Sequence, residues 1–179
     1  VITRPGAESR RAETESAAEA LKPFRELYFI EPPALLDGGD VLVIGKKVYM
    51  GLSGRTNSKA AAQLREKLEP LEYSLKEVKV TGCLHLKSAV TRVLPETLLV
   101  NPEWVDPDEF EDMKIIEVDS EEPLAANALM LRDTVIYPVG FPRTAEKLEA
   151  EGARLTPVDL SELRKAEGGV TCCSVVFGR

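Results

Sequence analysis

The sequence has few of the residues that build metal sites and disulfide frameworks, with one histidine and three cysteines among 179 residues. Two of the cysteines are adjacent and no CxxC pair occurs, so the ligand spacing of a zinc site is missing. The low count also makes a poor disulfide framework, which favours the reducing cytoplasm as the location. No apolar run approaches the roughly 20 residues that cross a bilayer, so we expect no membrane partner.

Positive charge is scarce as well. The chain has 23 Lys and Arg residues against 30 Asp and Glu residues, which gives a formal net charge of -7. This balance and the lack of a basic stripe argue against a nucleic-acid partner, although a local cationic pocket for a small anionic group is compatible with them. Because 44% of the residues are hydrophobic and 30% are charged, we expect one globular domain over residues 1–179 with a sizeable core.

What the sequence does contain is a repeated order of strand, tight turn, strand, helix and strand. The clearest copy runs from Asp40 to Val80 and has a hairpin that turns at Gly45–Lys46. A helix capped by Asn57 or Ser58 follows, and its apolar residues recur with a period of 3.6. These apolar residues are Ala61, Leu64, Leu68 and Leu71.

Other parts of the chain show the same order of elements. One copy begins at Ser88, turns at Pro95 and continues through an acidic segment over residues 106–113 to the strand KIIEV. Another begins at Asn127, turns at residues 132–133 and has a helix over residues 143–151. Residues 1–30 resemble the same repeat without its first strand, with a helix from about Ser9 to Lys22, and CCSVVF is predicted as a lone final strand.

Repeats with a period of about 20 to 50 residues are typical of closed or stacked repeat architectures. With helices on the outside and strand ends directed at a shared centre, these repeats predict an α/β propeller. An open α/β sheet whose hairpins resemble one another by chance is the alternative.

The segment GGVTCCSVVF at residues 168–177 is the first candidate for chemistry. A thiol where a glycine-rich loop meets a strand suits a nucleophile, because a substrate can approach the backbone closely. Alternation along the predicted strand puts Cys172 and Cys173 on opposite faces. Cys173 shares its face with Val175 and Phe177, which indicates packing, so Cys172 is the candidate nucleophile. Buried strand cysteines with no catalytic role are the structural alternative.

Two other motifs supply a candidate base and a carboxylate to orient it. GCLHLKS contains the only histidine, His85, a residue type suited to acid–base chemistry near neutral pH. LLDGGDV places Asp37 where it could accept the N–H of a histidine, as the acid of a triad does. The alternatives are a structural histidine and an Asp-Gly turn. All three motifs begin or end a repeat, so together they predict Cys, His and Asp for nucleophilic catalysis.

Five motifs in order closely resemble those of the dimethylarginine dimethylaminohydrolases, namely ITRPGA, LDGGDV, GLSGRTN, HLKS and TCCS. This family belongs to the pentein, or amidinotransferase-like, superfamily of guanidine-modifying enzymes, and the motifs cover essentially the whole chain. The resemblance implies a pentein-type α/β propeller of five repeats with the active site in its central cavity.

The resemblance also implies roles for single residues. Cys172 matches the family nucleophile, His85 its general acid/base and Asp37 its orienting carboxylate. Four further residues match positions of the substrate pocket: Arg10, Arg55, Ser88 and Glu167. The two arginines would hold the amino-acid end of the substrate. Lys87 stands where arginine deiminases carry an acid, which favours the dimethylargininase branch.

The implied reaction is the hydrolysis of Nω-methylated arginine through a covalent thiouronium intermediate on the cysteine, giving citrulline and methylamine or dimethylamine. It requires no metal and no organic cofactor, and its partner is a small guanidine substrate. Two other functions stay open, an arginine deiminase or dihydrolase and a non-catalytic protein that binds arginine-like molecules. A homodimer is left open as well.

Members of the family also carry an acidic segment, on the strand before ITRPGA, that binds the guanidinium. That strand would precede Val1, so we expect the chain to lack an N-terminal repeat and a half. Either this N-terminal segment is supplied separately, or the chain by itself is inactive. We favour the former, which makes the missing segment an expected partner.

Overall fold

A computed structural model describes residues 1–176 of the chain. Three sheets of the same topology lie within this range, each with an antiparallel hairpin and a third strand parallel to the second. The first contains β1 (Val41–Ile44), β2 (Lys47–Leu52) and β3 (Ser74–Lys79). The second contains β4 (Val90–Leu94), β5 (Thr97–Val100) and β6 (Lys114–Glu117), and the third contains β7 (Leu129–Leu131), β8 (Thr134–Pro138) and β9 (Leu155–Val158). The predicted repeat of strand, turn, strand, helix and strand is found in the first and third sheets, whereas a 3-10 turn stands in place of the helix in the second.

Local chemistry explains the first repeat. Gly45 has a φ of 58°, the left-handed conformation that the tight turn between β1 and β2 requires. Helix α2 (Ser58–Leu68) is capped by Asn57, whose side chain accepts a hydrogen bond from the backbone N–H of Ala60. Leu71 was predicted on this helix, but α2 ends at Leu68 and a 3-10 turn follows over Glu69–Leu71. Pro70 causes the difference because it has no N–H to continue the helix.

The connections in the other repeats differ in length. Between β5 and β6 the acidic segment forms a 3-10 turn, Pro107–Glu109, whose N-terminus is capped by the Asp106 side chain. Between β8 and β9 lies helix α4 (Pro142–Ala150), which starts with proline at a position where the missing N–H costs nothing. This helix begins and ends one residue before the predicted bounds.

Residues 1–30 form the predicted partial repeat with less regular structure. Ile2 and Phe29 make an isolated parallel bridge, so the predicted strands are reduced to one residue pair. The predicted helix is divided into a 3-10 turn, Glu8–Arg10, and helix α1 (Glu13–Leu21). No residue of α1 is buried, which agrees with its many charged and small side chains.

The chain divides into two compact units. The first unit comprises residues 1–80 and 84–86, and the second comprises residues 81–83 and 87–176. In the first, α2 packs against the sheet through an apolar cluster that includes Met50, Ala61 and Leu64. In the second, a larger cluster joins its two sheets and α4 through residues such as Leu99, Tyr137 and Leu148. The single domain expected from the length stays a prediction.

The end of the chain differs from the predicted strand. The short helices α3 (Leu86–Ala89) and α5 (Ser161–Arg164) are regular, but residues 170–173 form a turn and residues 174–176 have no regular secondary structure. Phe177 of the predicted strand lies outside the described residues. In the part of the chain that the structure describes, no helix is both long and apolar enough to span a bilayer.

Candidate functional site

Asp37 and His85 form a hydrogen-bonded pair in the first compact unit. The Nε2 atom of His85 lies 2.9 Å from Oδ2 of Asp37, and the side chains are 13% and 5% exposed. The second carboxylate oxygen, Oδ1, accepts a hydrogen bond of 2.9 Å from the backbone N–H of Gly6. Both oxygens of Asp37 therefore accept hydrogen bonds, which fixes the carboxylate plane relative to the imidazole.

The surroundings of Asp37 favour its ionised form. Burial by itself raises the pKa of this carboxyl, but it is outweighed by the hydrogen bonds from His85 and from the Gly6 N–H and by the charges of His85 and Arg55. The net result is a pKa of Asp37 below its usual range. The side chain is thus a carboxylate at neutral pH, and His85 Nε2–H donates to it.

Gly39 lies against the face of the imidazole. A Cβ atom at this position would be 2.6 Å from Cγ and 2.8 Å from Nδ1 of His85. Carbon atoms in contact lie at about 3.5–4.0 Å, so only glycine lets the turn approach the ring this closely. By contrast, a Cβ at the neighbouring Gly38 would have no atom within 4 Å. The glycine pair of LDGGDV therefore does more than turn the chain.

Asp40, the second carboxylate of LDGGDV, is completely buried beside the pair. Its Oδ1 accepts from the backbone N–H of Leu86 at 2.8 Å. Its Oδ2 accepts from the hydroxyls of Ser53 at 2.7 Å and Thr56 at 2.6 Å. Thr56 in turn accepts from the backbone N–H of Asp37 at 3.0 Å. This network was not predicted from the sequence, although the second acid of the motif is a visible signal for it.

The candidate nucleophile, Cys172, lies on an exposed turn in the second compact unit. Its backbone N–H bonds to the carbonyl of Gly169 at 3.1 Å, which closes the turn. The prediction that Cys173 packs in the core is wrong, because both cysteines are exposed and Val175 is 72% exposed. Side-chain hydrogen bonds to the backbone, such as that from Ser174 Oγ to the Val170 carbonyl, take the place of a strand ladder here.

Asn127 holds the cysteine turn. Its Nδ2 donates to the carbonyl of Lys87 at 2.7 Å and to Oγ1 of Thr171 at 2.8 Å, and its Oδ1 accepts from the Thr171 N–H at 3.2 Å. A Cβ at Gly169 would be 2.5 Å from Oδ1 of Asn127, so the glycine allows this close approach. In the sequence Asn127 stands out only as the start of a repeat, because its partners are 40 and 44 residues away.

The four residues predicted for the substrate pocket occupy different positions. Arg10 is exposed and forms an ion pair with Glu13 at 2.8 Å. Arg55 is half-buried, and its charge acts on Asp37. Ser88 is half-buried on α3, and Glu167 is exposed with a φ of 57° just after α5. Their binding roles stay predictions.

The described contacts bring together Asp37 and His85 in the first compact unit, whereas Cys172 belongs to the second. Among residues 1–176, no group of three His, Cys, Asp or Glu side chains is arranged to hold a metal ion. The pair can transfer protons through the imidazole of His85, which the carboxylate of Asp37 holds in a fixed orientation.

Comparisons with known proteins place this geometry in a wider context. No protein-family model matches the chain. The N(G),N(G)-dimethylarginine dimethylaminohydrolase of Pseudomonas aeruginosa is 42% identical over 179 residues, which cover 99% of this chain and 70% of that protein. The protein of the same name from Streptomyces coelicolor is 41% identical over 177 residues, covering 98% of this chain and 67% of that protein.

A solved structure of such a relative has a similar fold. It is a cysteine-to-serine mutant of the Pseudomonas aeruginosa dimethylarginine dimethylaminohydrolase, complexed with citrulline. It matches the chain with a TM-score of 0.90 at 41% identity, over 95% of this chain and 68% of that one. The predicted α/β fold class is confirmed, and the likeness extends over nearly the whole chain rather than over single motifs.

Proposed function

Because the chain belongs to the dimethylarginine dimethylaminohydrolase family, we propose that it hydrolyses the guanidinium group of Nω-methylated arginine to citrulline and methylamine or dimethylamine. The observation that carries the proposal is the hydrogen bond between Asp37 and His85, the residues that match the family's carboxylate and acid/base. Citrulline, which is bound to the solved relative, would be a product of this reaction.

Cys172 is the proposed nucleophile. Its thiolate attacks the central guanidinium carbon and forms a carbon–sulfur bond. The bond from that carbon to the methylated nitrogen then breaks, and the leaving amine takes a proton from the imidazolium of His85. The enzyme is left with a thiouronium group on the cysteine and a neutral imidazole.

The second half of the reaction restores the thiolate. The neutral imidazole of His85 removes a proton from a water molecule, whose oxygen attacks the thiouronium carbon. The carbon–sulfur bond breaks, the thiolate of Cys172 leaves with the electron pair, and the hydroxyl on the carbon loses its proton to solvent, so that the product carries the ureido group of citrulline. One water molecule is consumed for each amine released, so the atoms balance without an oxidant or a reductant.

Asp37 orients the imidazole in this scheme. Its lowered pKa keeps it ionised at neutral pH, so it accepts the Nε2 proton of His85 and stabilises the imidazolium. Because Asp37 contacts Nε2, the proton transfers of the reaction are assigned to Nδ1.

Arg10 and Arg55 are proposed to hold the substrate carboxylate, since a guanidinium can donate two parallel hydrogen bonds to it. Arg10 would exchange its ion pair with Glu13 for the substrate, at small cost because both side chains are exposed and water screens the pair. Ser88 and Glu167 complete the proposed binding set.

Incubation of the chain with Nω,Nω-dimethylarginine, alone and together with the N-terminal segment that the family resemblance predicts, tests the proposal, with citrulline and dimethylamine measured separately. We expect both products in equal amounts, and none from Cys172→Ser. Cys173→Ser is the matched control and should retain turnover. Ammonia from arginine, without dimethylamine from the methylated substrate, would instead identify a deiminase or dihydrolase. Binding of either ligand without any product would identify a non-catalytic binding protein.

Three separate proposals concern the location and the partners of the protein. They are a cytoplasmic location, a separately supplied N-terminal segment and a homodimer, the last of which is left open. All three rest on the sequence alone. The intact mass of the native protein tests the N-terminal segment, and sedimentation of the purified protein tests the dimer.

A further inference from the structure

Asp40 is a buried carboxylate for which the proposed reaction has no use. The side chain is 0% exposed, and its three hydrogen-bond donors are neutral groups: the hydroxyls of Ser53 and Thr56 and the backbone N–H of Leu86. Burying a carboxyl side chain costs free energy, and hydrogen bonds to neutral groups only offset that cost. A carboxylate in this place therefore calls for an explanation beyond packing.

Two short paths connect Asp40 to the pair of Asp37 and His85. The first runs through Leu86, because the N–H that Oδ1 accepts belongs to the residue directly after His85. The second runs through Thr56, which donates to Oδ2 of Asp40 and accepts from the backbone N–H of Asp37. One carboxylate thus holds the backbone at both members of the pair.

The sheet leaves room for this arrangement. Gly51 on β2 faces Asp40, and a Cβ at this position would lie 2.8 Å from Oδ1 of Asp40 and 2.8 Å from Cβ of Leu86. Contacts this short are not tolerated, so any larger residue would push the carboxylate and the Leu86 backbone apart. The absence of a side chain at Gly51 is what allows Asp40 to reach the Leu86 N–H.

We infer that Asp40 is a positioning residue that sets the geometry of the hydrogen bond between Asp37 and His85. The inference deepens the proposed function and rests on it for its catalytic meaning. Its geometric part can be tested independently of the proposed function, because the alignment of the imidazole with the carboxylate can be measured without turnover. In an acid–base pair a misplacement of about 1 Å can cost about 100-fold in rate.

The substitution Asp40→Asn tests the inference with almost no change in volume. An amide has one acceptor oxygen, so it cannot accept from Leu86 on one side and from two hydroxyls on the other. If the oxygen faces Leu86, the NH₂ group faces Thr56, whose oxygen already accepts from Asp37. The network must rearrange, and the Asp37 and His85 backbones lose their common support.

The readout is the ¹⁵N chemical shift of the imidazole nitrogens, followed by long-range ¹H–¹⁵N correlation. His85 is the only histidine, so an untagged protein gives one set of signals. The displacement that Asp37→Asn causes in the Nε2 shift defines a broken pair. We expect Asp40→Asn to move the shift by at least about half of that displacement. The matched control, Asp133→Asn, removes an exposed carboxylate in the second compact unit and should leave the shift unchanged.

A second pair of variants decides the matter if Asp40→Asn does not fold. Thr56→Val removes the bridging hydroxyl at constant shape, and Thr56→Ser keeps it. We expect the Nε2 shift to move in the valine variant and to stay near the wild-type value in the serine variant. An Nε2 shift that stays at the wild-type value in folded Asp40→Asn, or in Thr56→Val where the first variant does not fold, overturns the inference. So does an Asp37→Asn variant whose shift does not differ from wild type.

Turnover gives an independent measurement. We expect kcat to fall about 10- to 100-fold in Asp40→Asn with KM little changed, because the misplaced group acts on proton transfer rather than on substrate binding. Absence of turnover with the N-terminal segment present would contradict the proposed function but would leave the imidazole measurement valid. Failure of the inference and failure of the proposed function are thus distinguishable.

Discussion

Replacement of Gly39 by alanine should disturb the pair of Asp37 and His85 by an amount that the structure defines. The new Cβ would lie 2.6 Å from Cγ of His85, about 0.9 Å closer than the ~3.5 Å at which carbon atoms begin to touch. Either the imidazole or the turn must move by this distance. If the imidazole moves away from Gly39 along the normal to its face, the separation of Nε2 and Oδ2 grows only from 2.9 Å to about 3.0 Å, but the N–H no longer points at the oxygen.

Two effects of different size should follow. Overpacking of a well-packed site costs about 1–3 kcal/mol, which for a chain of this length corresponds to a fall in Tm of about 2–12 °C. The loss of alignment should lower kcat by about 100-fold, because proton transfer depends on ring placement more steeply than folding does. The Nε2 shift of His85 should move toward the value in Asp37→Asn.

Gly38→Ala is the matched control, since it lies in the same turn and its Cβ would meet nothing within 4 Å. It should keep the wild-type Nε2 shift and kcat, with stability unchanged or raised by about 0.4–1 kcal/mol through the unfolded chain. Thermal unfolding, the ¹⁵N shift and steady-state kinetics measure the three quantities. If Gly39→Ala behaves like Gly38→Ala in all three, the close approach of the turn to the imidazole has no consequence and the reasoning is refuted.

Two further predictions concern Asp37 and Asn127. The pKa of Asp37 is lowered in the folded protein, so its contribution to stability is present above about pH 3.9 and is lost as the pH falls through the folded pKa. Urea unfolding from about pH 5 downward should therefore show a shallower loss of stability for Asp37→Asn than for wild type, and parallel curves would contradict this. Asn127→Ala should speed hydrogen exchange at the Thr171 amide by at least about 10-fold, because that N–H loses its acceptor. Unchanged exchange at this amide, measured by NMR, would show that Asn127 does not hold the turn.

Much of the local structure could be predicted because the signals for it lie within a few residues. The turn at Gly45, the cap at Asn57 and the hairpin of each repeat follow from backbone conformations and side-chain hydrogen bonds over short distances. The errors were local as well. Leu71 kept the helical period after Pro70 had ended the helix, and the β-branched end of the chain formed a turn. The spacing of apolar residues does not show which groups the backbone N–H and C=O groups bond to.

By itself, the sequence determined the α/β repeat and, through motifs in order, the candidates Cys172, His85 and Asp37. Only the tertiary structure decided that Nε2 of the imidazole faces the carboxylate, that Gly39 lies against the ring, and that Asp40 holds both members of the pair. It also decided that Asn127 holds the cysteine turn. The physical reason is distance along the chain. These contacts join segments that are far apart in sequence, and their geometry follows from the packing of several loops at once, which no local pattern encodes.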